Sequence, residues 1–255
     1  LLGWDYGDDI PDLAPYDRIY IMDLSLPPAV MSANAERITW LDHHASSLAS
    51  CPSYLAGTRI DGIAACRLTY QYLFGNRRAT KQDYLDHKVI EPYAIQLLGE
   101  YDVWLKTNPD TDPFQLGIAS VDSPDWNLLL GISPGPTQYT DQLVEKGRAI
   151  GDYLRIANAK LAKDRGFDVT IDGHLLHAIN TPIKGSMVHD SAIRPEHDGC
   201  LSYAWNGKAW GCSVYGVAHK KDLNLSTISV KRGGGGHPGS SGFRLDKLPK
   251  ELGGA

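Results

Sequence analysis

Three points along the chain bring together residue types that could share a cation: Asp23, the triplet Asp42-His43-His44, and Asp102. Carboxylate oxygens and imidazole nitrogens together suit a divalent ion of intermediate hardness such as Mn²⁺, whereas a site for Ca²⁺ or Mg²⁺ alone rarely recruits histidine. A carboxylate at a strand end can bridge two ions, and paired ions can clamp the attacking and leaving oxygens of an in-line phosphoryl displacement. Each residue alone has a plainer use. A strand-end aspartate often caps a following helix, and adjacent histidines often form a polar surface pair. The triplet follows Trp40-Leu41, and an upstream apolar run also ends in an acid, Asp23. That repetition favours the metal reading.

The elements that must position these residues follow from hydrophobic periodicity. Leu1–Tyr6 reads as a short strand and Gly7–Pro11 as a turn. Arg18–Leu24 and Arg37–Leu41 read as buried strands, separated by a helix-like piece around residues 29–35. Residues 62–74 are apolar at helical spacing. Residues 84–102 read as a helix or helix pair whose end carries Glu100 and Asp102. The Pro- and Gly-rich stretch 131–136 breaks the pattern, and an amphipathic helix follows with Leu143, Ile150, Leu154, Ala157 and Leu161 on one side. Beyond it come short β-like runs, 167–171, 175–179, 201–205 and 210–215, with D-G and N-G turn signals between the paired runs and a final strand near 243–245.

The expected fold class is therefore α/β, with an open, mostly parallel sheet flanked by helices. A long helix joins it to a smaller mixed α+β domain. The boundaries fall at residues 1–137 for the first domain, 138–166 for the linker helix and 167–255 for the second domain.

Within the second domain, Lys231-Arg232 precede the run Gly233 to Gly236, followed by His237-Pro238-Gly239-Ser240-Ser241-Gly242. Such a loop concentrates backbone N–H donors with no side chains in the way and can wrap a phosphate closely. It is not a P-loop, because no G-K-[ST] follows it. A flexible linker is the ordinary reading of a glycine run, but the embedded His237 and the strand at Phe243 argue for a built loop. His174 and His177 sit at a strand spacing that points them to opposite faces, which suits core or surface roles rather than ligation. His189 and His197 lie in a polar segment of ordinary loop composition. No G-x-S-x-G elbow is present, and the six tryptophans form no stacking stripe.

The 255 residues, 42% of them hydrophobic, are enough for a sizeable core. A formal net charge of -5 excludes a global basic field that would hold long nucleic acid by counterion release, so any nucleic-acid substrate must be short or gripped locally. Cys51, Cys66, Cys200 and Cys212 form no C-x-x-C pair and read as reduced thiols of a cytoplasmic protein. No run has the length of a membrane span.

The ordered series I-Y-I-M-D-L-S, T-W-L-D-H-H, Y-D-V-W and G-G-G-G-H-P-G-S-S-G-F resembles that of the DHH-family phosphoesterases, in particular their compact phage and bacterial members. The match spans most of the chain. The resemblance implies that Asp23 bridges two metal ions and that His43 and Asp102 complete the coordination of one of them. Asp42 and His44 would be the catalytic pair: Asp42 orients the histidines from behind or binds weakly, and His44 faces the scissile phosphate. The glycine run would belong to the DHH-associated substrate-binding domain, with Arg232, Gly234, Gly235, Gly236 and His237 contacting substrate. In nucleotide-cleaving relatives a serine- and arginine-bearing strand helps grip the substrate. The matching stretch here, residues 211–221, has no arginine, and His219, Lys220 or Arg232 would substitute. The family's H-x-D-x-D-G motif, which holds the other metal ion, does not occur in this sequence. An N-terminal strand and helix bearing it are expected to lie outside the chain, and Asp5, Asp8, Asp9 and Asp12 read as solvated loop acids.

The sequence thus leads to a metal-dependent phosphoesterase. It would hydrolyse phosphodiester or phosphomonoester bonds of short oligonucleotides or small nucleotides with metal-activated water. The cofactor would be Mn²⁺, with Mg²⁺ as a substitute, and a homodimer is compatible with this reading. Two rivals stand beside it: an inorganic pyrophosphate or polyphosphate hydrolase, and a nucleotide-binding regulatory module that has lost turnover.

Overall fold

The computed structural model of the chain describes residues 1–4, 8–131, 137–183, 185–220 and 222–254. It divides into two compact units, Leu1–Gly151 and Asp152–Ala255. Of the N-terminal run read as a strand, residues 1–4 carry no regular structure, and residues 5–7 lie outside the described residues, as do 132–136 of the Pro- and Gly-rich break.

In the first unit, β1 (Ile19–Met22) and β2 (Ile38–Leu41) pair in parallel, Ile19 against Ile38 through Met22 against Leu41. The short helix α1 (Pro28–Ala33) connects them and begins with proline at its first position, where the missing N–H costs nothing. Among the described residues these are the only regular strands of the unit. The open parallel sheet anticipated from the sequence is not established: beyond this one parallel pair there are, among the described residues, only two isolated parallel bridges, Thr39 to Ala56 and Asp42 to Arg59. Arg59 explains why residues 53–59 follow β2 without forming a full strand. Its guanidinium donates to the carbonyls of Trp40, Ala56, Ser53 and Leu55 and lies 5.1 Å from the Trp40 ring centroid. One side chain thereby satisfies carbonyls that a neighbouring strand would otherwise have to meet. Ile21, Leu26, Met31, Ile38, Trp40, Cys51 and Leu55 form the core here.

Five helices follow: α2 (Ala45–Ser50), α3 (Ala65–Phe74), α4 (Lys81–Leu85), α5 (Tyr93–Asp102) and α6 (Thr111–Ala119). The run 84–102 is thus broken between α4 and α5, as its helix-pair reading allowed. A buried ion pair occupies the break: Arg67 of α3 donates through Nε to Glu91 Oε1 at 2.7 Å, with its Nη2 2.5 Å from the same oxygen. Burial pushes the Glu91 carboxyl above its ordinary range, against the pull of Arg67. The Arg67 stem packs where Gly99 leaves room, since a Cβ at 99 would lie 2.4 Å from Arg67 Cδ. This contact sets α3 against α5, and α5 carries Asp102 at its end. A four-residue helix, α7 (Trp126–Leu129), precedes the 28-residue α8 (Gln138–Arg165), whose first part packs Leu143 and Val144 against Phe114, Ile118 and Leu97. No helix among the described residues is long and apolar enough to cross a membrane.

The second unit is a six-stranded sheet built from β3 (Gly166–Ile171), β4 (His174–Asn180), β5 (Gly199–Trp205), β6 (Trp210–Gly216), β7 (Gly235–His237) and β8 (Ser240–Leu245), in the order β3-β4-β5-β6-β8-β7. Only β4 and β5 run parallel. Strand alternation sends Leu176 and Ala178 to a core shared with Ile228 of α9 (Ser226–Val230), and Ile179 to the other face, against Ala162 of α8. All four cysteines of the chain are free thiols.

His177 lies on the α8 face of the sheet and is buried, as are His189 and His197 from the β4–β5 connection. The last two lie in a loop, as their segment's composition suggested, and that loop is folded into the interior. His177 and His189 meet Nδ1 to Nδ1 at 2.9 Å, and His189 Nε2 is 3.0 Å from Ser202 Oγ. His197 Nδ1 accepts from the Arg194 amide, so Nε2 carries the proton it donates to Asp168 at 3.0 Å. Burial pushes the His189 pKa down to about 3, with His177 adding to the shift, and burial also lowers His177.

Two predictions follow from these buried charges and near-charges. Removing Arg67 leaves Glu91 buried and unpaired, so Arg67→Ala is expected to lose about 3–5 kcal/mol, whereas Arg67→Met combined with Glu91→Leu should lose far less. Urea unfolding of the two variants at neutral pH measures both. For the histidines, the unfolded chain binds protons below about pH 6.5 that folded His189 refuses until about pH 3. Stability should therefore fall as pH drops through that window, by about 1.4 kcal/mol per pH unit for each such group, and His189→Gln should flatten the slope between pH 7 and pH 5. An unchanged slope in the variant would refute the assignment.

Candidate metal centre

Asp42 is the residue from which the centre is built. It follows the last residue of β2, is fully buried, and hydrogen-bonds through its backbone to both Thr58 and Ile60. Its Oδ1 accepts from the backbone N–H of His43 at 2.7 Å and of His44 at 3.2 Å, and lies 2.7 Å from His44 Nδ1. The carboxylate thus closes the turn by which β2 enters α2, with His44 at the helix N-cap. Its second oxygen, Oδ2, is buried with no hydrogen-bond partner.

His43 is held one residue on. Its Nε2 stands 3.2 Å from Asp23 Oδ1 and 3.3 Å from Asp102 Oδ2, so residues from the end of β1, the end of β2 and the end of α5 meet at one nitrogen. Asp23 reaches it from an unusual backbone, with φ of 64°, while its N–H continues the parallel ladder to the Leu41 carbonyl at 3.0 Å. Two further ties fix that corner: Trp40 Nε1 donates to the Leu24 carbonyl at 2.9 Å, and Ser25 Oγ donates to Ser47 Oγ of α2 at 2.9 Å. The hydrogen bond to Asp23 is the main reason the His43 pKa is raised; burial opposes it, and the charges of Asp102, Asp23 and Asp42 reinforce it.

One donor atom from each of Asp23, Asp42, His43 and His44 lies within 4.8 Å of the others. The residues fit a divalent cation on two grounds. The donors mix carboxylate oxygen with imidazole nitrogen, the set that suits a transition ion. The orphaned Asp42 Oδ2 is a buried carboxyl oxygen with no hydrogen-bond partner, a state that costs free energy until a cation or proton meets it.

Glu100, two residues before Asp102, does something else. It is buried and accepts from Gln96, from the Thr107 and Thr111 hydroxyls and from the Asn108 backbone. These bonds outweigh burial and leave its pKa below the ordinary carboxylate range. It pins the loop after α5, a role that its placement at the helix end in the sequence did not reveal. Arg59 was missed, because its partners are carbonyls that no sequence pattern marks.

In the second unit the glycine run is partly strand. Gly235, Gly236 and His237 pair with Gly242, Ser241 and Ser240. A Cβ at Gly234 would lie 2.0 Å from the Gly242 carbonyl oxygen, and Gly236, at φ of 136°, would bring one within 2.6 Å of the Ser240 oxygen. Those two glycines let the run lie against β8, whereas Gly235 has open space where a side chain would be. His237 is exposed. Arg232 donates to Asp172 at 2.8 and 3.3 Å and to the Ile228 carbonyl, holding the β3–β4 turn. Lys220 pairs with Asp198 at 2.7 Å, and His219 Nε2 is 3.2 Å from the His197 carbonyl oxygen. Lys221 lies outside the described residues.

Comparison with protein-family models and with curated proteins returns no match. Among solved structures, the chain resembles the DHH domain of a member of the s1p family of ribosomal proteins, with a TM-score of 0.51 and 15% sequence identity. The alignment covers 88% of this chain and 63% of that one, so the chain spans less than two thirds of that structure. The likeness is one of fold. Looser similarity is found to an exopolyphosphatase-related protein from Bacteroides fragilis (TM-score 0.44, 14% identity, 92% of this chain and 68% of that one). A pGpG-specific phosphodiesterase from Vibrio cholerae is comparably loose (TM-score 0.41, 11% identity, 91% and 93%).

The two oxygens of Asp42 can be separated by mutation. Asp42→Ala removes the acceptor of the turn and is expected to lose about 3 kcal/mol in urea unfolding. Asp42→Asn keeps one oxygen for the turn and is expected to stay within about 1 kcal/mol of the parent while binding Mn²⁺ roughly 10- to 100-fold more weakly by calorimetry. Equal Mn²⁺ affinity in Asp42→Asn would show that Oδ2 has no part in the site.

Proposed function

We propose that the chain is a divalent-metal-dependent phosphoesterase of the DHH type, acting on phosphodiester or phosphomonoester bonds of short oligonucleotides or small nucleotides. Asp23, His43 and Asp102 would hold the cation, Mn²⁺ by the chemistry of its donors. The observation that carries this reading is the meeting of Asp23 and Asp102 at His43 Nε2, with the buried Asp42 in the same cluster of donor atoms.

Bound there, a divalent cation supplies Lewis acidity to a phosphoryl oxygen and makes water acidic enough to be a nucleophile near neutral pH. The protein's own groups divide the remaining work. Asp42 fixes the His44 ring through Nδ1, which leaves His44 Nε2 to meet a phosphate oxygen or to pass a proton to the leaving group. His43 is held between two acids, which orient its ring. In the second unit we assign substrate contact to Gly235 and His237, with Gly234 and Gly236 shaping the loop and Arg232 bracing it through Asp172. A net charge of -5 suits a short substrate gripped at a few points rather than a long polyanion.

The test is Mn²⁺-dependent hydrolysis of a generic phosphodiester and of a 5′-phosphorylated dinucleotide. Turnover should require Mn²⁺, disappear with EDTA, and fall at least about 100-fold in His43→Ala, the scale expected when a group acting at the reacting centre is removed. Turnover that survives chelation, or that is the same in His43→Ala, sinks the proposal.

A further inference from the structure

The helix that delivers Asp102 ends in an unusual way. α5 terminates with Val103 as its cap, Trp104 donates its backbone N–H to the Tyr101 carbonyl at 3.1 Å, and Leu105 donates to the Glu100 carbonyl at 2.9 Å. These two bonds are the Schellman pattern, in which the residue at the Trp104 position takes a left-handed conformation and is usually glycine. Trp104 adopts it with φ of 57°, and Lys106 adopts it again with φ of 45°. A large side chain in that region is a true outlier and costs stability that glycine would not.

Burial does not repay the cost, because Trp104 remains 59% exposed. Its position is nonetheless fixed. Glu100 gathers Thr107, Asn108 and Thr111 and so closes the loop on which Trp104 and Lys106 lie. The Lys106 ammonium sits 3.4 Å from the Trp104 ring centroid and 4.9 Å from that of Tyr101, and is itself paired with Asp112 at 2.7 Å. The indole is therefore an exposed, preorganised aromatic surface with a cation against it. It stands two residues from a candidate metal ligand, which puts the two Cα atoms within about 7 Å of each other.

We infer that Trp104 is the surface on which the base of a nucleotide stacks while its phosphate is held at the Asp23, His43 and Asp102 centre. The inference rests on the phosphoesterase reading and narrows its substrate to nucleotides over base-free phosphate esters. Stacking on an indole tolerates any base, since each has a π-face, so the site selects for a base rather than among bases. A lysine against the ring fixes the indole plane through its attraction to the ring face.

The experiment compares AMP with ribose 5-phosphate in the presence of Mn²⁺, by titration calorimetry, on the parent chain, Trp104→Gly and Trp104→Phe. The parent should prefer AMP by roughly 5- to 100-fold, the range that base stacking on an aromatic side chain gives. In Trp104→Gly the preference should collapse to about one, and the melting temperature should hold or rise, because glycine suits the left-handed position. Trp104→Phe should recover part of the preference. A preference retained in Trp104→Gly, or absent from the parent while both ligands bind, overturns the inference and leaves the phosphoesterase reading standing. Failure of the parent to bind either ligand with Mn²⁺ overturns both.

Discussion

A carboxylate placed where water cannot reach it has to be answered by the protein around it, and most of the first unit answers to Asp42. One of its oxygens takes two backbone N–H groups and an imidazole, which forces the chain to turn directly from β2 into α2 and puts two histidines at that turn. Arg59 gathers four carbonyls alongside β2, so the segment that covers Asp42 is held without a full strand. The remaining oxygen has no hydrogen-bond partner within the described residues. The arrangement makes sense as a rigid scaffold for a cation, since a charge held by fixed dipoles needs no rearrangement when its partner arrives.

The same economy governs the end of α5. Glu100 and Asp102 are two residues apart on one helix, yet Glu100 is buried among four donors and Asp102 is half-exposed beside His43. One carboxylate fixes a loop; the other is presented. The buried Arg67–Glu91 pair lies upstream of both and sets the helix that carries them, so the position of Asp102 depends on an interaction that never touches the centre.

What could be read from the sequence was the grouping of certain side chains. Apolar runs ending in acid marked β1 and β2, and Asp23, His43 and Asp102, grouped by residue type before any distance was known, do come together. The long-range pairings were illegible. Arg67 and Glu91 are 24 positions apart, and nothing in either neighbourhood says that the two charges will share the interior. His189 and His197 sit among acids in a segment of loop composition, and only the packing of the β4–β5 connection over one face of the sheet buries them. The glycine run was visible as a run, but composition could not show that Gly234 and Gly236 are needed for close approach to β8 while Gly235 is not. The regular sheet of the first unit is narrower than the pattern suggested, because residues 1–4, read as part of a strand, carry no regular structure.

The backbone of Asp23 has a consequence for how this centre could change over evolutionary time. At φ of 64° the position accepts glycine, asparagine and aspartate readily and most other residues poorly. Glutamate, the natural chemical substitute for a carboxylate ligand, is among those it disfavours. The residue is therefore specified twice, once by the charge it offers and once by the torsion it occupies, and the alternatives open to a single substitution are almost all ones that surrender the charge. Drift at this corner leads towards loss of the anion rather than towards a different ligand, so a lineage that keeps the site is expected to keep this aspartate itself.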